Sequence, residues 1–105
     1  MGMTARAKPV ALAPSPWPEV PSEDPVGEVA RIFAINVRKA VGSQSLRSVA
    51  DASGLTHVTL LNVLGGKVWP DLATIARLEN GLGTQLWPQR PFPAGAAPAS
   101  TDAKA

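Results

Sequence analysis

The chain contains no cysteine. This excludes a disulfide framework and any site built on thiolate ligands. It has a single histidine, His57, so no cluster of imidazoles can form. Neither a metal nor a cofactor is expected. No apolar run approaches the roughly 20 residues that a membrane-spanning helix requires. The opening residues, MGMTARAKPVALAPSPWP, hold two basic side chains but lack the continuous apolar core of a secretory signal. Met1 and Gly2 match a myristoylation signal only loosely, because Arg6 stands where a hydroxyl residue is required. A cytoplasmic protein without membrane attachment is the expectation. Catalytic patterns are also missing. There is no paired-carboxylate motif, no phosphate-binding loop and no zinc pattern. Ser45, Ser48 and Ser53 have only His57 as a candidate base, and their positions suit helix capping better. The chain is expected not to be an enzyme.

What is present points to a small helical protein. The 105 residues allow one small domain at most, and the net charge of +2 permits a nucleic-acid partner without demanding one. Proline is concentrated at the two ends. Five prolines fall between Pro9 and Pro21, among Ala and Ser, and residues 1–24 are expected to form a flexible arm. Trp17 is out of place in such an arm and is a candidate to fold back on the rest. Residues 89–105, again rich in Pro, Ala and Ser, are expected to be a disordered tail. Residues 25–88 remain, about sixty in all, near the lower limit for a single unaided core.

Within them the apolar spacing predicts four helices and room for a fifth turn. Val26, Val29, Ala30, Phe33, Val37 and Ala40 recur at steps of three and four, after Asp24 as cap and Pro25 at the first helical position. Arg31, Arg38 and Lys39 lie off that stripe, toward solvent. Ile32 and Ile35 widen it or meet a partner. Gly42 and Ser43 end the helix. Ser45 caps a second helix over 46–52, with Leu46, Val49 and Ala50 inward and Arg47, Ser48 and Asp51 outward. Ser53, Gly54 and Leu55 form a turn. Thr56 caps a third helix over 57–64, with Leu60, Val63 and Leu64 inward, and Gly65 and Gly66 stop it. Asp71 caps a fourth over 72–82, with Leu72, Ile75, Ala76, Leu78 and Leu82 apolar. Residues 84–87 are long enough for one more turn before Pro88.

The second and third helices have the spacing of a helix-turn-helix. A small residue, Ala50, allows a close crossing, Gly54 permits the turn, and Leu60 and Val63 pin the third helix to the core. On the segments VADASGLTHVTLLNVLGGK and WPDLATIARLENGLG the chain resembles the Cro/C1-type (XRE-like) helix-turn-helix regulators of bacteria and phages. The matching features are Ala50 four positions before Gly54, the hydroxyl cap Thr56, the aliphatics Leu60 and Val63, and Gly66 with Lys67. Pro70, Asp71 and Leu72 then open a helix that runs to Leu82 and Gly83. The match is ungapped from Ser45 to Gly83.

The resemblance implies an all-α fold: a compact, lambda-repressor-like bundle of four to five short helices. It also implies sequence-specific binding of double-stranded DNA by a small repressor-like regulator, with the third helix in the major groove. The implied base contacts are His57, Val58, Leu61 and Asn62, where Asn62 would read adenine and Val58 and Leu61 would meet thymine methyls. The implied backbone contacts are Gln44, Ser45, Arg47, Thr56, Thr59 and Lys67. The family often has Gln at the position of Leu46, so its phosphate contact passes to Gln44, Ser45 or Arg47. Arg6 and Lys8 make the arm a candidate for the DNA backbone or minor groove. A homodimer on an inverted repeat is implied, with Leu86, Trp87 and Phe92 as candidate dimer contacts. Trp69 and Trp87 are otherwise read as packing around the fourth helix. Two other readings stand beside this one. The first is an antitoxin that binds a protein partner through a tail. The second is a helical interaction module without DNA readout, in which Val58 and Leu61 belong to a protein interface.

Overall fold

The computed structural model describes residues 7–89. Four α-helices follow one another: α1 (Pro25–Val41), α2 (Leu46–Ser53), α3 (His57–Leu64) and α4 (Leu72–Leu82). A short 3-10 helix, Pro9–Leu12, precedes them. No strand occurs among the described residues. Among them, no helix is long and apolar enough to cross a membrane.

Each helix starts where a side chain can satisfy its unpaired amides. Asp24 Oδ1 accepts from the amides of Val26 and Gly27 at 2.9 and 3.0 Å. Ser45 Oγ accepts from the Ser48 amide at 3.0 Å, Thr56 Oγ1 from Thr59 at 3.0 Å, and Asp71 Oδ1 from Thr74 at 2.8 Å. Such caps contribute about 1 kcal/mol each. The Thr74 hydrogen bonds hold the Asp71 carboxyl below its ordinary value.

The core joins Phe33, Val37 and Val41 of α1, Val49 and Ala50 of α2, Leu60, Val63 and Leu64 of α3, and Ile75 and Leu78 of α4. α2 packs on both α3 and α4, while α1 crosses behind α3 and α4. Three expectations about the helices need correction. Val26 and Leu72 open their helices at the surface, and Leu72 is 82% exposed, because a first-turn residue projects past the neighbouring helix. Ala34 and Val41 take inward places on α1 that the stripe did not include. Residues 84–87 form no further helical turn. The Glu79 carboxylate instead accepts from the amides of Leu86 and Trp87 at 2.8 and 3.1 Å, and Asn36 Nδ2 donates to the Leu86 carbonyl at 2.9 Å. These bonds replace the helical ones and drive Leu86 into the core, where it is 1% exposed.

The largest correction concerns the arm. Residues 7–24 lie against the helices and are not free of packing. Trp17 Nε1 donates to the Leu64 carbonyl at 2.9 Å, the Val10 amide to the Gly66 carbonyl at 2.9 Å, and Trp69 Nε1 to the Ala7 carbonyl at 2.8 Å. Pro9 and Pro18 are buried. Proline supplies part of the reason, since a chain stiffened in advance loses less entropy on docking. Arg31 is the second anchor. It is 8% exposed although α1 periodicity turns it to solvent, because the arm covers it. Its guanidinium grips Glu28 with two bonds, at 2.8 and 2.6 Å, and donates to the Pro18 carbonyl at 2.8 Å. Glu28 Oε1 also accepts from the Ser22 amide at 2.8 Å, and the Ser22 hydroxyl bonds the Leu12 carbonyl. Residues 1–6 and 90–105, including Arg6 and Phe92, lie outside the described part.

Candidate nucleic-acid interface

The geometry of the α2–α3 pair is set by three local features. Gly54 adopts φ 70 and ψ 28, a left-handed conformation that a side chain disfavours. Its amide returns to the carbonyls of Ala50 and Asp51, and the Leu55 amide reaches Ala50 at 2.9 Å. Ala50 and Val49 are buried, so the two helices cross without a large side chain between them. The turn redirects the chain at once into the Thr56 cap and α3.

α3 is two-faced. Leu60, Val63 and Leu64 are buried, whereas Val58 is 63% and Leu61 43% exposed. His57 and Asn62 are half-buried at the margin of the same outward face. The four residues expected to meet bases therefore share one side of one helix. It is a mixed surface: two aliphatic groups suited to methyls, flanked by an amide and an imidazole that can donate or accept.

The expected backbone contacts divide into free and engaged groups. Arg47 and Lys67 are exposed cations at the N-terminus of α2 and beyond the C-terminus of α3, and neither forms an ion pair with a described residue. Ser45 and Thr56 are occupied by their capping bonds. Thr56 Oγ1 also donates to Thr59 Oγ1 at 2.8 Å, so those two hydroxyls act as one unit. Gln44 Nε2 donates to the Val41 carbonyl at 3.3 Å, closing the end of α1. Arg38 lies 4.0 Å from the Glu19 carboxylate in the arm. Leu46 is half-buried beside Leu61 and Leu64.

The expected dimer contacts also separate. Leu86 is a core residue and unavailable for a partner. Trp87 is exposed and lines an apolar groove with Val26, Val29, Trp69 and Pro70. Phe92 lies outside the described residues.

Sequence periodicity missed the neighbourhood of Gly66, where the arm, α3 and the α3–α4 connection converge. Gly66 has φ 67, and a Cβ there would sit 2.7 Å from the Trp17 ring. Trp17 thus covers the end of α3 as a flat lid, and glycine is what lets it approach. The signal that could reveal it is the pairing of an isolated tryptophan in a proline-rich stretch with two successive glycines. Among the described residues, no group of His, Asp or Glu could hold a metal ion.

No protein-family model and no curated protein matches the chain. Solved structures do. The clp gene regulator ClgR from C. glutamicum aligns with a TM-score of 0.50 and 18% identity, covering 55% of this chain and 78% of its own. The restriction-modification controller protein C.AhdI from Aeromonas hydrophila aligns with a TM-score of 0.48 and 24% identity, covering 54% of this chain and 86% of its own. The likeness to ClgR is one of fold. With the capped helices and the Gly54 turn, it shows an all-α helix-turn-helix fold among the described residues.

Proposed function

We propose that the protein is a sequence-specific, double-stranded-DNA-binding transcriptional regulator of the repressor type, working inside the cell where its DNA lies. The observation that carries this reading is the two-faced α3. Leu60, Val63 and Leu64 lock it to the core, and His57, Val58, Leu61 and Asn62 share the free side. A helix held in this way can enter the major groove without unfolding anything. Asn62 would read adenine by its amide, Val58 and Leu61 would select thymine methyls, and His57 would donate to guanine or a phosphate. Arg47, Lys67 and the amide-rich starts of α2 and α3 would hold phosphates on either side. Ser45, Thr56, Thr59 and Gln44 would act mainly by fixing those helix ends. The regulatory role named for ClgR agrees with this reading. A single module reads few base pairs, so a homodimer on an inverted repeat is proposed, with Trp87 and its apolar groove at the contact.

A second reading is favoured by the exposure of Val58 and Leu61: a helical interaction module that docks another protein through α3. Selection from random duplexes at low salt separates the two. The regulator reading expects an enriched motif with two related half-sites. Selection of no sequence at any salt would sink it and leave the interaction module.

A further inference from the structure

We propose that the docked arm is a fixed part of the DNA-binding surface, and that Lys8 holds a phosphate next to the one held by Lys67. The inference rests on the DNA-binding reading above and adds to it a second chain segment and a second cation.

The position of Lys8 is set by two hydrogen bonds that bracket it. One residue before it, the Ala7 carbonyl accepts from Trp69 Nε1 at 2.8 Å. Two residues after it, the Val10 amide donates to the Gly66 carbonyl at 2.9 Å. The backbone of Lys8 therefore runs alongside residues 66–69, the connection that carries Lys67. The Lys8 carbonyl is itself held by the Ala11 amide at 2.9 Å, which starts the 3-10 helix. Trp17 clamps the same place from the other side of the arm, with its ring on Gly66 and its Nε1 on the Leu64 carbonyl.

Lys8 and Lys67 are both exposed, and neither pairs with a carboxylate among the described residues. Of the arm's described carboxylates, Glu19 lies 4.0 Å from Arg38, Asp24 caps α1, and Glu23 is exposed. Both lysines are thus unneutralised cations on neighbouring segments of the chain. A polyanion crossing the end of α3 can meet both and release its own counterions. Because the arm is ordered by folding, its ordering entropy is not spent again when DNA arrives. A docked lysine of this kind strengthens binding to every sequence alike, since phosphates carry no base identity.

The test uses the full chain and the duplex recovered by selection, with affinity measured as a function of salt. Lys8→Ala is expected to flatten the dependence of log affinity on log salt by roughly 0.9, the same decrement as Lys67→Ala, and the double variant by roughly twice that. Across a fourfold rise in salt, each single variant would lose roughly three- to fourfold less affinity than the unaltered chain. Lys8→Arg should retain the original slope, and none of these variants should change which sequence is preferred. Lys8 is exposed, so its substitution leaves the core intact. An unchanged slope in Lys8→Ala beside a reduced slope in Lys67→Ala would overturn the inference while leaving the DNA-binding reading in place. Absence of any salt-dependent duplex binding by the unaltered chain would overturn both.

Discussion

Residues 45–66 and residues 7–24 are stretches of similar length that meet at Gly66, and they are held in different ways. The helix-turn-helix is a local construction. Its caps reach three residues, its turn closes over Ala50 and Asp51, and its apolar positions repeat with the helix period. The arm has almost no regular structure of its own. It depends on isolated hydrogen bonds to partners outside itself, such as Trp17 to Leu64, Val10 to Gly66 and Arg31 to Pro18. One segment owes its shape to neighbours in sequence, and the other borrows its shape from the surface it covers. A helix made the first way can present a reading face, while a strap made the second way can hold the end of that helix and bring a new charge beside it.

Substitutions should separate the two kinds of construction. The largest effect is expected for Leu60→Ala, because Leu60 is fully buried where α3 meets the core. It should lose about 2–5 kcal/mol of stability, enough to remove most helical circular dichroism from so small a protein. Trp17→Ala should cost roughly 2 kcal/mol through lost apolar contact and one lost hydrogen bond. Its helical signal at room temperature should remain, while proteolysis within residues 7–24 accelerates. Equal loss of helix in both variants would show that the arm is as essential to folding as the core.

Asn62→Ala should weaken binding to the selected duplex by about 1–3 kcal/mol and relax the choice of base at one position, as competition against mismatched duplexes would reveal. The contrast with Lys8→Ala is direct: specificity should reside in α3 and uniform affinity in the arm. Thr56→Ala removes the cap of α3 and should cost about 1 kcal/mol in denaturant unfolding, with little effect on the arm.

The smallest expected effect is a pH response of the arm latch. The Arg31 guanidinium, above all by its hydrogen bonds, holds the Glu28 carboxyl below its ordinary value, against the opposing influence of burial. The folded value is depressed, so the stabilisation is fully present above the ordinary glutamate range and is lost as pH falls through the lowered folded value. Tryptophan fluorescence should therefore report loosening of the arm only in acid, below about pH 4.3. Glu28→Gln should lack that transition; its persistence there would assign it to another carboxylate.

The helical body was readable from residues because its determinants are local. Asp24, Ser45, Thr56 and Asp71 were identifiable as caps, and Ala50, Gly54, Leu60 and Val63 as the frame of the turn. The inward set on α3, Leu60, Val63 and Leu64, followed from the same periodicity, while the outward set came from the family resemblance. Periodicity failed where a distant segment alters a residue's surroundings. Arg31 sits on the polar side of α1 and is still buried, because the arm lies over it. Leu86 was expected at a partner interface and is instead in the core, because Glu79 and Asn36 capture its backbone.

By itself, then, the sequence determined the four helices, their caps, the Gly54 turn and the face of α3 left free. These depend on spacing and on residue types within a few positions of one another. Only the tertiary structure decided that a proline-rich stretch would become part of the body, that Gly66 would serve as the seat for Trp17, and that the backbone on either side of Lys8 would bond to Gly66 and Trp69. Those outcomes depend on hydrogen bonds spanning more than forty residues, such as Trp17 to Leu64, and no local pattern encodes which of many carbonyls a lone tryptophan will find.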